Sequence, residues 1–333
     1  MNLIVDIRDP KYIQTDLHHV WFIFKYLVEN YGYEIINIKK NDNFTKRIKL
    51  FQRKNKKSKL KNIIIFSHLK YLNFVLDIKD VNIIWYGDDL HKPNSINILN
   101  KISKYILSYG YAFNKYQPSI QDNIYFFPHS ASYEIEFNEN PIEKVLVSGR
   151  YKKGFYPKRK IAIDLVEKGK LDCVEYFCPD FLYLIPQKEY KETDVCSSEF
   201  VKKLNEYLVC FTCDMSEKTP YILAKVFEIM SAGSLLLYAI EDENKKYFEK
   251  LGFIDGRHYI SCKSDNIEKM MKLCLSDDLR DNIDQIRYRA YKYVRKYHTY
   301  INRAEALNKI VMGEDNFKKF DDGIDGTNYS LAI

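Results

Sequence analysis

Short apolar runs alternate with amphipathic stretches along the first part of this chain. The apolar runs predict six strands, at Leu3–Ile7, Glu34–Ile38, Asn62–Phe66, Val81–Tyr86, Tyr105–Tyr109 and Ile124–Phe127. Residues 16–29 have helical periodicity, with Asp16 as a suitable N-cap. Strands separated by helical stretches predict a parallel sheet with helices on both faces.

The same alternation begins again near residue 142. It predicts strands at Lys144–Ser148, Asp172–Phe177, Tyr207–Thr212, Ser234–Ile240 and His258–Ser261. The helical stretches end in a long one from Asp278 to Lys309, with a break near His298. A chain of 333 residues suits two domains, each with its own core. We therefore expect α/β domains at 1–141 and 142–312, and a disordered tail at 313–333.

The composition of the chain limits the classes of protein to which it can belong. Hydrophobic residues make up 46% of the chain, which excludes a disordered protein. No apolar run approaches the roughly 20 residues that cross a bilayer. The first residues are typical of a strand rather than a signal peptide, so we expect a cytoplasmic protein.

Much of the net charge of +7 lies in the run Lys46–Lys61. Such a run can bind nucleic acid or an anionic membrane. Because no nucleic-acid motif or aromatic stacking pattern accompanies it, we expect a solvated, mobile insertion. We predict no nucleic-acid partner, and peripheral membrane contact stays open.

Cys210 and Cys213 form a C-x-x-C motif among the seven cysteines. Such a pair can hold a metal or act as a redox couple. Strand residues three apart point to opposite faces, and no second ligand pair follows. We therefore favour two thiols on one buried strand and predict no metal site.

The stretch Lys225–Leu237 carries the clearest chemical pattern. It predicts an amphipathic helix, a stop at Gly233 and a buried strand. Lys225 and Glu228 share a helix face near the amino end, directly after the polar loop 216–220. A helix amino terminus favours a phosphate, and a nearby carboxylate can accept hydrogen bonds from a sugar diol.

The pattern Lys-x-x-Glu-x-x-x-x-Gly before an apolar strand resembles the nucleotide-sugar site of GT-B glycosyltransferases. It is most similar to the glycosyl transferases group 1 branch that includes the CgeB-like spore-maturation proteins. The resemblance implies that Glu228 holds the ribose of the donor. Many members carry a second Glu eight residues earlier, where this chain has Pro220.

Three further motifs extend the resemblance over most of the chain. They are Val147-Ser148-Gly149-Arg150 with Tyr156-Pro157-x-Arg159, Trp85-Tyr86-Gly87-Asp88-Asp89, and Tyr297-His298-Thr299-Tyr300-x-x-Arg303. The resemblance implies two Rossmann-like domains that face a cleft, with the C-terminal helix packing back on the first domain. The first domain would take the acceptor, and the second would take a nucleotide-sugar such as a UDP- or GDP-sugar, without a metal or other cofactor.

The candidate donor site consists of cations and hydrogen-bond donors. The leaving diphosphate gains negative charge, so fixed cations and helix-terminal N–H groups accelerate its departure. We predict that Lys225, Arg150 and Arg159 bind the phosphates. Thr219 and Tyr221 would add backbone N–H groups or a hydroxyl.

The candidate acceptor residues lie in the first half. Asp88 and Asp89 follow a strand and can accept a proton or hold hydroxyls, although Asp89 also suits an N-cap. His18 and His19 begin the first helix, where inverting members often place a base, and a structural role stays open for both. His129 follows the sixth strand at the hinge, where it can reach a donor phosphate or the acceptor, or be a structural hinge histidine.

The sequence therefore predicts a metal-independent glycosyltransferase acting on a glycan or glycoconjugate hydroxyl. Retention or inversion at the anomeric carbon stays open. One alternative keeps the fold but makes the protein a nucleotide-sugar epimerase. Another is a catalytically degenerate GT-B protein that binds glycans or assembles a coat, an interpretation that Pro220 favours.

Overall fold

The computed structural model describes residues 1–6, 18–37, 44–55, 59–66, 81–87, 99, 103–108, 124–132, 134–149, 156–169, 171–177, 198–214 and 222–314. Contacts divide the chain into two units. Unit 1 comprises Met1–Ile13, His19–Pro128 and Tyr300–Ile333, and unit 2 comprises Gln14–His18 and His129–Thr299. This division falls before the predicted domain limit at residue 141. The predicted tail from 315 onward lies outside the described residues.

The strands match the predicted positions to within two residues at every end. They are β1 (Asn2–Asp6), β2 (Glu34–Asn37), β3 (Asn62–Phe66), β4 (Asn82–Gly87), β5 (Tyr105–Ser108), β6 (Ile124–Phe126), β7 (Ile142–Ser148), β8 (Val174–Phe177), β9 (Tyr207–Cys213), β10 (Leu235–Ala239) and β11 (Ile260–Cys262). The helices are α1 (His18–Tyr31), α2 (Phe44–Lys54), α3 (Pro157–Glu167), α4 (Ser198–Asn205), α5 (Ala224–Ser231), α6 (Asp242–Glu249), α7 (Ile267–Leu273), α8 (Arg280–Tyr297) and α9 (Tyr300–Met312).

Unit 1 contains a parallel sheet of six strands in the order β2-β1-β3-β4-β5-β6. Every residue of β3 is buried, as expected where helices cover both faces of a parallel sheet. Phe24 of α1 packs edge-on against Phe66 at 5.9 Å between ring centroids. The predicted α/β fold is confirmed for this unit.

The last helix, α9, belongs to unit 1, as the resemblance implied. The ring of Tyr300 lies 5.3 Å from that of Phe22 on α1. The hydroxyl of Tyr33 donates to Asn308 Oδ1 at 3.0 Å, and Arg303 Nε donates to the carbonyl oxygen of Pro128 at 3.2 Å. The predicted packing of the terminal helix on the first domain is confirmed.

The segment at 44–54 differs from its prediction. A mobile insertion was expected in the basic run from Lys46, but these residues form helix α2. Ile48 is buried, and Phe51, three residues later, is half-buried on the same side. These two apolar side chains anchor one face of the helix, and most of its exposed positions are cations.

Unit 2 contains a parallel sheet in the order β11-β10-β9-β7-β8. Every residue of β9 and β10 is buried. Counted within the unit, the strand order is 2-1-3-4-5, one of the two common doubly wound arrangements. The predicted Rossmann-like second unit is therefore confirmed.

The predicted helix stop at Gly233 is also confirmed. Gly233 has φ of +82°, and the N–H of Ser234 donates to the carbonyl oxygen of Ile229 at 3.3 Å, which closes the end of α5. A Cβ atom on Gly233 would lie 2.8 Å from Cδ2 of Phe137. A glycine therefore serves both the backbone conformation and the packing.

The main segment of unit 2 begins and ends at neighbouring points. Ala131 and Thr299 form a parallel β-bridge, and the N–H of Ala131 donates to the carbonyl oxygen of His298 at 2.8 Å. The imidazole Nε2 of His298 lies 2.9 Å from the carbonyl oxygen of Leu251. The predicted break near His298 separates α8 from α9.

Candidate functional site

The order of the second sheet points to one position for a ligand. β7 and β9 are neighbours, and the chain leaves β7 toward β8 on one side before it returns to β9 on the other. Ligands of doubly wound sheets bind at the carboxyl ends of the strands where the order reverses. Ser148, Gly149 and Asp214 occupy these ends.

Two cations meet above Gly149. A Cβ atom on this glycine would lie 2.6 Å from Nζ of Lys225 and 3.2 Å from Nη1 of Arg159. Gly149 has φ of +97°, a backbone conformation that side chains rarely adopt. The structure thus brings together two of the predicted phosphate-binding residues, one from α5 and one from α3.

The guanidinium of Arg159 is buried and contacts a hydroxyl and an aromatic ring. Its Nη2 donates to Oγ1 of Thr212 on β9 at 3.3 Å, and its Cζ lies 4.1 Å from the centroid of the Tyr156 ring. Arg159 is only 3% exposed, although arginine is seldom buried to this extent. A buried, positioned cation is suited to an anionic ligand because little water screens its charge.

Lys225 and Glu228 lie in the first turns of α5, as predicted. The Nζ of Lys225 is 4.8 Å from the centroid of the Phe200 ring, and the helix has no side-chain hydrogen bond at its N-cap, Leu223. Burial raises the pKa of the Glu228 carboxyl above its ordinary value, and the charge of Lys225 opposes this shift. A carboxyl that burial penalises gains from any ligand that donates hydrogen bonds to it.

A second charged cluster was not predicted. Lys158, beside Arg159 on α3, places Nζ 2.9 Å from Oδ1 of Asp214 and 2.7 Å from Oε1 of Glu241. Asn244 donates to the other oxygen of Asp214 at 3.1 Å. Burial opposes the charge of Lys158, but the hydrogen bond to Glu241 and the charge of Asp214 outweigh it and raise its pKa.

The Lys158 cluster fixes the start of α3 to the ends of β9 and β10. Asp214 directly follows the buried strand β9. A carboxylate directly after a buried strand was the feature of the sequence from which this cluster could have been predicted. Burial nevertheless raises the pKa of Asp214, because the nearby cation offsets the loss of water only in part.

A buried hydroxyl also lies at the end of β7. Ser148 is fully buried, and its Oγ makes no hydrogen bond to any of the described residues. Gly149 follows Ser148, and its carbonyl oxygen accepts a hydrogen bond from the hydroxyl of Tyr176 at 3.3 Å. This bond stabilises the turn after β7. Sequence reasoning had used Ser148 only as part of a motif.

The other predicted site residues divide into two groups. Arg150, Thr219, Tyr221, Asp88 and Asp89 lie outside the described residues. Their roles stay predictions.

The three histidines belong to the described backbone. His18 and His19 begin α1, with side chains outside the described set, and His129 is 1% exposed in the segment after β6. Their roles also stay predictions.

The C-x-x-C pair lies on one buried strand, β9. Burial raises the pKa of Cys210 to about 12 and that of Cys213 to about 11. Thiolates are the metal-binding and redox-active form, so these raised pKa values disfavour both roles at neutral pH. This agrees with the favoured interpretation of the motif.

Comparison with known proteins places this geometry in context. Residues 176–309 match the family model described as glycosyl transferase-like. The segment includes β9, α5 and β10, and therefore Lys225 and Glu228. No curated protein sequence gives a significant match to the chain.

Solved structures resemble the whole chain. A glycosyltransferase from Rickettsia africae ESF-5 has a TM-score of 0.60 at 9% identity, covering 95% of this chain and 99% of the other. An alpha-glucosyltransferase in complex with UDP and a 13-mer DNA has a TM-score of 0.59 at 11% identity, with coverages of 94% and 99%. The chain has the GT-B glycosyltransferase fold.

The predicted fold and its two Rossmann-like units are thereby confirmed, whereas the CgeB-like branch is not. A putative UDP-N-acetylglucosamine 2-epimerase from Listeria monocytogenes has a TM-score of 0.52 at 10% identity, with coverages of 96% and 98%. Solved structures titled as glycosyltransferases and one titled as a putative epimerase therefore share this fold. The glycosyl transferase-like segment and the fold together support a glycosyltransferase. None of the helices in the described ranges is long and apolar enough to cross a membrane.

Proposed function

We propose that this protein is a glycosyltransferase that moves a sugar from a nucleotide-sugar to a hydroxyl of a glycan or glycoconjugate, without a metal. The observation that carries the proposal is the convergence of Lys225 and Arg159 above Gly149. This convergence lies at the carboxyl ends of β7 and β9, beside the buried carboxyl of Glu228. Such a pair of cations is suited to a diphosphate, and such a carboxyl can accept hydrogen bonds from a ribose.

The proposed roles follow from the chemistry of each group. Lys225 and Arg159, together with Arg150, neutralise the diphosphate as its bond to the anomeric carbon breaks. Two buried or half-buried cations supply the charge that a metal would otherwise bring. Glu228 accepts hydrogen bonds from the ribose hydroxyls, and Thr219 and Tyr221 add donors to the phosphates.

The acceptor hydroxyl forms the new bond to the anomeric carbon and releases its proton to a base. Asp88, Asp89, His18, His19 and His129 are our candidates for this base and for holding the acceptor. We also propose a cytoplasmic location, because the cysteines in the described part of the chain are free thiols, which a reducing compartment preserves.

The two alternatives make different use of the same site. An epimerase would convert the nucleotide-sugar without an acceptor. A degenerate binding protein would hold the nucleotide or a glycan without turnover. Lys225 and Glu228 argue against the second alternative, because a protein that has lost its donor site has no need of a buried carboxyl one turn from a cation.

Donor binding is the first test of the proposal. The melting temperature is measured with UDP, GDP, CMP and their common sugars, with and without EDTA, since a ligand of the folded state raises it. We expect a shift with one nucleotide that EDTA does not change and that Lys225→Ala and Glu228→Ala abolish. Lys269→Ala, which removes an exposed lysine of α7, is the matched control and should keep the shift.

Turnover decides among the three functions. The bound donor is incubated with a panel of acceptors, and nucleoside diphosphate and sugar products are separated by mass spectrometry. Release of nucleoside diphosphate together with a sugar-bearing acceptor supports a transferase. An isomerised donor without acceptor would support the epimerase, and binding with no product would favour the degenerate protein.

A further inference from the structure

The outer face of α2 is positively charged along its whole length. The helix has 11 residues, of which five are cations and none is acidic. All five cations lie on its exposed side, at Lys46, Arg47, Lys49, Arg53 and Lys54. Ile48 is buried and fixes the opposite side in unit 1.

This arrangement is unfavourable for a helix in water. Lys49 and Arg53 are four residues apart, and Lys46 and Lys49 are three apart, so like charges are neighbours on the helix surface. Within the described part of the chain, Lys49, Arg53 and Lys54 make no ion pair. An anionic partner would relieve the repulsion between these cations.

An apolar side chain lies at the centre of the basic face. Leu50 is 41% exposed. Helical geometry places its neighbours three and four residues away in both directions, and all four are cations: Lys46, Arg47, Arg53 and Lys54. A leucine encircled by cations matches a surface that is anionic outside and apolar beneath.

We propose that α2 docks this protein on an anionic lipid bilayer. The cations would contact the headgroups, and Leu50 would enter the boundary between headgroups and acyl chains. Single-stranded nucleic acid fits less well, because its bases stack on exposed aromatic rings and the exposed apolar side chain of this face is aliphatic. The proposal is independent of the donor site, since α2 belongs to unit 1 and Lys225 to unit 2.

The strength of such docking depends on the number of cations. Each lysine or arginine near an anionic membrane strengthens binding by about fivefold. Loss of Lys49 and Arg53 together should therefore weaken binding roughly 25-fold. Added salt should weaken it as well, because the screening length falls from about 10 Å at 0.1 M to about 3 Å at 1 M.

The experiment uses the full chain and sedimentation with vesicles. Vesicles of phosphatidylcholine alone are compared with vesicles that also contain phosphatidylglycerol. We expect binding to the anionic vesicles only, lost in high salt, reduced roughly 25-fold in Lys49→Gln/Arg53→Gln and severalfold in Leu50→Ser. Because these side chains are exposed, and because Lys49→Gln/Arg53→Gln relieves like-charge repulsion, the variants should unfold within a few degrees of the wild type.

Helix α7 offers matched controls. Leu273 is 41% exposed, the same fraction as Leu50, and Lys269 and Lys272 are exposed beside it. Glu268 pairs with Lys272 at 2.8 Å, so this face is not purely basic. Lys269→Gln/Lys272→Gln and Leu273→Ser should bind the anionic vesicles like the wild type.

Three outcomes would overturn the proposal. The first is that wild-type protein fails to sediment with the anionic vesicles. The second is that the α2 and α7 variants lose binding equally. The third is that a single-stranded oligonucleotide competes for α2 while Leu50→Ser binds vesicles as the wild type does, which would indicate a nucleic-acid surface.

Discussion

The ammonium group of Lys225 fills the space that a side chain on Gly149 would need. A Cβ atom there would lie 2.6 Å from Nζ, which is shorter than a van der Waals contact between the two atoms. Gly149→Ala should therefore displace Lys225 and strain the turn. We expect nucleotide binding, measured by isothermal titration calorimetry, to weaken by roughly tenfold or more, because a charge-assisted contact is lost.

Gly169 provides the control for this substitution. It also has a positive φ, +58°, but nothing lies within 4 Å of the Cβ that alanine would add. Gly169→Ala should lower the free energy of unfolding by about 1–2 kcal/mol through backbone strain and leave nucleotide binding intact. Equal binding losses in both variants would show that strain, and not the position of Lys225, is responsible.

The carboxyl of Glu228 should make stability depend on pH. Burial raises its pKa in the folded state, so between the unfolded and folded pKa values the folded protein binds more protons than the unfolded one. The free energy of unfolding therefore falls as pH rises through that window. Glu228→Gln removes this contribution, so urea unfolding should show the wild type losing stability relative to the variant from about pH 4 upward.

Glu249, an exposed residue at the end of α6, is the comparison for this effect. Glu249→Gln makes the same chemical change at an exposed position, so its urea unfolding curves serve as the control. A difference between wild type and Glu228→Gln that stays constant, or that grows in favour of the wild type as pH rises, would contradict the assigned environment.

The cluster of Lys158, Asp214 and Glu241 should be sensitive to removal of its cation. Lys158→Met leaves the buried carboxylate of Asp214 without its partner at 2.9 Å. We expect the free energy of unfolding in guanidinium chloride to fall by about 3–5 kcal/mol.

Two further variants test the cause of that loss. Lys160→Met removes a partly exposed lysine of the same helix that pairs with Asp164, and it should cost much less. Lys158→Met/Asp214→Leu removes both charges and should recover part of the stability. A double variant as unstable as Lys158→Met would mean that packing, and not the unpaired charge, sets the cost.

The buried thiols of β9 should resist modification. Cys210 and Cys213 are buried with raised pKa values, whereas Cys173 is partly exposed. Iodoacetamide labelling followed by peptide mass spectrometry should modify Cys173 in the native protein and the other two only after unfolding. Rapid native labelling of Cys210, or its protection by Zn²⁺, would favour a reactive or metal-binding pair.

Periodicity predicted most of the fold because the buried strands are nearly pure apolar runs. Strands such as β3 and β10 carry little else, and Gly233 marks the end of α5 by a requirement that only glycine meets without strain. The helix α2 was missed because its apolar anchors, Ile48 and Phe51, are outnumbered by cations in the sequence. Hydropathy alone therefore predicts a solvated segment rather than a packed helix.

The site was predictable only where its residues lie close together in sequence. Lys225 and Glu228 are one turn apart, so a helix suffices to join them. The meeting of Lys225 with Arg159 depends on the turn at Gly149 and on the order of the sheet, which no local pattern encodes. The Lys158 cluster was missed for the same reason, since Asp214 and Glu241 follow two different strands.

The bridge between Ala131 and Thr299 has a consequence for how this protein is built. Because Ala131, near the start of the stretch 129–299, forms a β-bridge with Thr299 at its end, the two ends of this stretch lie side by side. Such a module can be cut out and its ends rejoined by a short peptide, or be moved into another host, without stretching the backbone. The main segment of the unit that carries the proposed donor site is therefore joined to the rest of the chain at two neighbouring points.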